Sequence, residues 1–378
     1  MFAFRVQEIA LGWQILETTD SALWLGAVSF AYGLPLLLLS PLAGLLADRW
    51  RRQNVVIASQ VVAATATGML AILARTNQVT PLAVVAVSFL LGCMFALFSP
   101  ARMALLPNLV PNWQLENAAA MEYSSTRLLG FFGPVLAGFL FSALGFGSVL
   151  LVQMALFLSA AVIFMFTGVN VGRPETIQHY GHASGLGDTW ALLQANRQVL
   201  GVLLLGLFVI PFGMTYGRLM QVFVRDILSV GPAFLGLALG LAGLGSAASG
   251  LVITMMGHTQ RRGLAVVLSA IGFGLGLVLL SFMRAAGWVL VVMLVVGIVS
   301  GIYLTLSNVI IQAESPDRIR GRVLSLWGMI WGMVPIMVLI SSAFAEQLNV
   351  ALVIGACGLI CVVSSIALLT SRSKVLEF

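Results

Sequence analysis

Charged positions are rare along this chain, and the apolar stretches between them are long enough to form helices that cross a ~30 Å hydrocarbon layer, which takes about 20 residues. The runs 82–98 and 264–282 carry no charge at all. Proline, glycine and charge punctuation divides the pattern into spans at 22–47, 53–74, 80–99, 117–143, 147–169, 198–218, 232–256, 263–283, 287–310, 321–344 and 349–370. The period-2 alternation of a barrel strand is missing, which selects helices as the way to satisfy backbone hydrogen bonds in lipid. Ahead of these eleven spans lies MFAFRVQEIALGWQILETTD. Its apolar part covers about 24 Å of helix, short of the ~30 Å required. It reads as the second half of a first helix, N-terminally truncated, with an upstream start expected. Arg5 and Glu8 interrupt it, so it does not read as a signal peptide.

Composition supports the same class. Hydrophobic residues make up 60% of the 378 and charged residues 8%, against roughly 25% charged in a soluble domain. The net charge of +6 does not point to nucleic acid, because the 19 basic residues are scattered over short connections and include one lysine, Lys374. With three histidines, no HExxH, no paired-cysteine motif and no Walker loop, metal, cofactor and enzyme chemistry have no visible constellation. Cys93, Cys357 and Cys361 fall inside apolar runs and read as small core residues. His179 and His182 read as part of a solvated loop.

Counting the first helix gives twelve spans, six on each side of a polar connection. The domains expected are 1–169, a central loop at 170–197, and 198–378. Two related halves are also visible in the residues. LLPNLVPNWQLENAAAMEYSSTRLLGFFGP begins the fifth helix and IIQAESPDRIRGRVLSLWGMIWGMVP the eleventh, which sets Pro111 opposite Pro316. Arg51-Arg52 after the second span corresponds to Arg261-Arg262 after the eighth. The offsets, 316 − 111 = 205 and 261 − 51 = 210, nearly agree. Orientation follows from retention of Lys and Arg on the cytoplasmic side. Connections after even-numbered spans, with the C-terminal tail, hold 13 of the 19: Arg49, Arg51, Arg52, Arg102, Arg173, Arg197, Arg261, Arg262, Arg318, Arg320, Arg322, Arg372 and Lys374. Both termini and the central loop are therefore expected in the cytoplasm, with the chain in the inner membrane.

Two motifs carry more than packing. In GLLADRWRRQ a span ends at Gly44 and Asp48 and is followed by Arg49, Arg51 and Arg52. Positive-inside retention explains the arginines but not the acid. In RLLGFFGPVLAG, Gly130, Gly133, Pro134 and Gly138 supply small residues for close helix approach and a mid-span proline for bending. The first motif resembles the signature loop of the major facilitator superfamily. The second resembles the Gly-Pro motif in the fifth helix of its antiporter members. Together with ALGWQILETTDSALWLGAVSFAYGLP and LLPNLVP, they resemble the superfamily's transmembrane secretion effector group, which includes the enterobactin exporter.

The resemblance implies an all-α integral membrane fold of two six-helix bundles related by a pseudo-two-fold axis. It implies alternating-access export of a drug- or siderophore-type amphiphile, expected to run by proton antiport in a monomer surrounded by membrane lipids; uptake or lipid flipping is the alternative. It gives Asp48 the role of a gate latch against the eleventh helix, expected to begin near Arg320-Gly321-Arg322. Because the first and fifth helices are neighbours in that fold, Glu8 and Arg127 are expected to face one cavity and pair, with Arg5 as a rival partner. A charge at a span centre costs about 2.5 to 3.5 kcal/mol on insertion scales, so each needs a partner or a job. A buried ion pair without a coupling role is the plainer reading of Glu8 and Arg127. Glu122, Tyr303, Asn308, Trp327 and Trp331 are further candidates for the gate or the substrate cavity, although most aromatic residues in spans only pack.

Overall fold

The computed structural model describes residues 1–49, 51–166, 196–255 and 262–370; the side chains of some helical residues, including Asp48, Arg49, Arg127 and 317–319, fall outside the description. Among the described residues every regular element is helical. The helices are α1 (Phe2–Thr19), α2 (Ala22–Arg49), α3 (Arg52–Arg75), α4 (Pro81–Leu109) and α5 (Leu115–Phe166), then α6 (Arg197–Gly213) and α7 (Tyr216–Val222), which continues as a π-helical turn to Ile227. They are followed by α8 (Pro232–Met255), α9 (Arg262–Phe282), α10 (Ala286–Glu314), α11 (Asp317–Gly332), α12 (Val334–Gln347) and α13 (Val350–Thr370).

The predicted spans map onto these elements with informative differences. Helix α5 has 52 residues, about 78 Å of helix and more than twice the bilayer core. It is broken at Gly145, whose φ of 72° no L-residue adopts without strain, and its two parts are the fifth and sixth spans. Helices α6 and α7 form the seventh span and α11 and α12 the eleventh, which breaks at Met333 ahead of Val334-Pro335 because proline supplies no amide to the preceding turn. Helix α4 runs ten residues beyond the predicted end at 99, through Pro100 and Pro107, since a proline can be accommodated in a membrane helix. Arg102 therefore belongs to α4 and not to a connection. Helix α11 begins at Asp317, within a turn of Arg320, with Pro316 as its N-cap.

Ten helical segments among the described residues are long and apolar enough to cross a membrane. One of them is the doubly spanning α5, so the eleven predicted spans are all present. Helix α1 carries three charges, Arg5, Glu8 and Glu17, within 18 residues. His179, His182, Arg173, Arg372 and Lys374 lie outside the described residues.

By packing, the chain separates into two compact units, Met1–His179 with Val230–Leu237, and Tyr180–Ser229 with Ala238–Phe378. In the first, α2 meets α4 where Gly92 lies against the Tyr32 backbone, a Cβ at Gly92 falling 2.9 Å from the Tyr32 carbonyl carbon. Helix α3 meets the second part of α5, where Gly68 accommodates Met154 and Gln53 Nε2 donates to the Phe164 carbonyl at 2.6 Å. In the second unit α8 meets α10, with a Cβ at Gly297 falling 2.7 Å from Ala242 Cα, and α9 meets α13 where Gly274 and Gly358 each face the other's carbonyl. Each unit thus pairs its second span with its fourth and its third with its sixth. Glycine recurs at these crossings because lipid offers helices no hydrophobic reward for associating, so close backbone packing must hold them.

Candidate functional site

Helix α1 is fixed in the first unit by its apolar side. Phe4 sits in an aromatic cluster with ring centroids 5.0 Å from Phe95, 5.7 Å from Phe98 and 4.9 Å from Phe157. Gln153 Nε2 donates to the Ala3 carbonyl at 3.2 Å. Val6, Ile9, Ala10 and Trp13 are buried on the same helix. Arg5 and Glu8 occupy its accessible side as an i,i+3 ion pair at 3.4 Å, their side chains 48% and 34% exposed. Glu8 lies eleven residues before the helix end at Thr19, about 16 Å along the axis and so near the middle of a ~30 Å core.

The Gly-Pro segment of α5 uses its small residues on two neighbours. A Cβ at Gly133 would fall 2.9 Å from Arg5 Cβ, so the α1–α5 contact passes directly beneath the ion pair. One turn further, within the same unit, Gly138 meets the first turns of α8. A Cβ on Gly138 would overlap the Pro232 carbonyl and come within 3.0 Å of Gly236 Cα, while one on Gly236 would overlap the Pro134 carbonyl and come within 3.1 Å of Gly138 Cα. The crossing is reciprocal, glycine against glycine with a proline four residues before each.

At Gly130 a Cβ would meet nothing within 4 Å among the described residues. Alanine there should relieve the entropic handicap of a helical glycine, about 0.5–1 kcal/mol. We expect Gly130→Ala to leave transport unchanged and to hold or raise the melting temperature in a thermal-shift measurement; a loss of transport would show that this glycine serves a contact made in another state of the cycle.

Glu122 is held by Arg102 of α4 at 2.5 Å, both side chains partly buried. The same guanidinium stands 5.8 Å over the Phe98 ring, and Thr126 Oγ1 donates to the Glu122 carboxylate at 3.4 Å. The Arg102 partnership was missed in the sequence because Pro100 reads as the end of a span.

The remaining candidates are spread more widely. Arg127 and Asp48 have side chains outside the description, so the expected Glu8–Arg127 pairing and the latch fall outside it too. Gly44 and Arg49 lie in the last turns of α2, Arg51 is exposed at the N-cap of α3, and Arg52 opens that helix partly buried. Arg320 Nη2 donates to the Ser315 carbonyl at 3.1 Å, closing the turn into α11. Trp327 is packed against Gly206, 2.6 Å from where a Cβ would be, which favours a packing role. Trp331 is 39% exposed. Asn308 spends its Nδ2 on the Leu304 carbonyl at 2.8 Å, and Tyr303 is fully buried.

Eleven membrane-crossing stretches among the described residues, with the same helix pairings repeated in two units, define a polytopic helical membrane protein. The chain belongs to the Major Facilitator Superfamily, whose family model matches residues 1–338 and 203–376. It is 24% identical over 351 residues to the staphyloferrin A transporter of Staphylococcus aureus, covering 91% of this chain and 86% of that protein. It is 24% identical over 353 residues to macrolide efflux protein A of Streptococcus pyogenes, with the same coverage. Among solved structures, a bacterial homologue of the iron transporter ferroportin in an inward-facing state superposes with a TM-score of 0.70 at 19% identity, covering 98% of this chain and 96% of that one. A bacterial homologue of the lysosomal transporter Spinster superposes at 0.72 and 14% identity, covering 99% and 93%. These likenesses establish the fold.

Proposed function

We propose that this protein exports a small amphiphile of the drug or siderophore type across the cytoplasmic membrane by alternating access, in exchange for protons. The observation that carries the reading is the Gly138–Gly236 crossing, which gives the Gly-Pro segment of α5 a specific partner in α8. A relative covering most of the chain is named for macrolide efflux, which supports the direction. Glu8, charged, accessible and near midspan, is the group we assign to proton coupling, with Arg5 and Arg127 as the cations that compete for it. Asp48 is assigned to the cytoplasmic latch, together with Arg49, Arg51 and Arg52. The excess of arginine at one set of helix ends supports cytoplasmic termini.

The test is accumulation of labelled macrolide in cells with and without the protein. Expression should lower accumulation, and a protonophore should restore it. Raised accumulation on expression would replace export by uptake, and lowered accumulation insensitive to the protonophore would remove the proton from the cycle.

A further inference from the structure

The second unit contains a cleft that the transport cycle proposed above does not use. It has a volume of about 870 Å³, inside the ~300–1,000 Å³ range of small-molecule sites. It is lined by α12 and α13, with residues from the end of α9 and from the end of α6. Phe212, Ser341 and Cys357 line the floor, whereas Phe344 and Leu352 line the rim and are 54% and 65% exposed. In a bilayer, exposed apolar side chains of this kind face hydrocarbon.

The lining's one charged residue, Arg284, and its one amide side chain, Asn349, lie at the end where α9 finishes and α13 begins. Arg284 Nη1 donates to the carbonyls of Ser281 and Met283 at 2.8 and 2.9 Å, which fixes the guanidinium at the α9 terminus. Those bonds are to neutral acceptors; Arg284 forms no ion pair among the described residues, and no carboxylate lines the cleft. Asn349 Oδ1 accepts from Ala351 N at 2.8 Å, leaving its Nδ2 donors. The first turn of α13 adds the positive end of a helix dipole at the same place.

An anchored, unneutralised guanidinium and amide donors at one end of a long apolar cleft match a molecule with one anionic head and apolar tails. We propose that the cleft is a binding site for an anionic phospholipid of the phosphatidylglycerol type, its phosphate against Arg284 and Asn349 and an acyl chain between α12 and α13. A zwitterionic headgroup would bring its ammonium toward the same guanidinium and is disfavoured.

Native mass spectrometry of the purified full chain tests this with phosphatidylglycerol and phosphatidylethanolamine of identical acyl chains. The unmodified protein should retain phosphatidylglycerol about fivefold better, the scale of one basic residue at an anionic lipid surface. Arg284→Gln should bring the ratio to about 1, while Arg284→Lys should keep a preference because charge, not helix capping, sets it. Ala356→Trp, at an exposed position in the cleft wall, should remove bound lipid without disturbing buried packing. Equal retention of the two lipids by the unmodified protein would overturn the proposal. So would a preference that survives both Arg284→Gln and Ala356→Trp, or displacement of the lipid by a macrolide from the unmodified protein, which would make the cleft a drug site. The readout is binding, so it stands or falls separately from the direction of transport.

Discussion

Placing alanine at Gly138 should reduce transport by about tenfold, and valine should abolish it. The crossing with α8 brings backbone against backbone, so an added methyl group meets the Pro232 carbonyl and Gly236 Cα and no flexible side chain is available to move aside. The helices must separate, and forced expansion of a packed contact costs about 1–3 kcal/mol, or roughly five- to 150-fold in any equilibrium that depends on it. Gly236→Ala disturbs the same contact from the other side. Once the helices have parted for one methyl group the second costs less, so the double substitution should be milder than the sum of the singles. Transport rates and melting temperatures of the two single variants and the double variant measure this. Full activity and unchanged stability of Gly138→Ala would mean that the two helices do not meet this closely in the membrane.

Glu8→Gln should lower transport driven by an imposed pH gradient by about a hundredfold, a scale on which a positioned proton carrier matters. The substitution keeps the size and hydrogen-bonding ability of the side chain, removes its titration and leaves Arg5 without its carboxylate at 3.4 Å. A merely structural pair gives a different signature: the melting temperature would drop and the remaining transport would keep its pH dependence. Arg5→Gln in combination separates the two, because removing both charges restores electrical balance but not a proton carrier. Unimpaired gradient-driven transport by Glu8→Gln would take Glu8 out of the coupling step.

The spans were legible because membrane insertion depends on the hydropathy of one segment at a time. Their ends were less so. Pro100 and Pro107 look like terminators by the rules of soluble helices, yet α4 passes through both, and with it passed Arg102, the partner of Glu122. Gly145 appeared as one glycine among many, since a positive φ leaves no mark on the residue type. The Gly-Pro segment was visible, but the division of labour within it was not: Gly133 beneath Arg5, Gly138 against α8 and Gly130 clear of the other described residues depend on which neighbour lies at each angle around α5. Trp327 shows the same limit from the other side, because an aromatic residue that fills the space over Gly206 reads in sequence like one that lines a cavity.

The turn at Gly145 also has a mechanical meaning. A single residue joins the fifth and sixth spans, with Leu144 and Phe146 already helical on either side, so there is no loop to absorb a change of tilt. The first of those spans bears the contacts to α1 and α8; the second holds Ala3 through Gln153 and receives Gln53 of α3. A change of tilt at the Gly138 crossing must therefore be taken up by the two dihedrals of Gly145 or passed on to the far side of the same bundle.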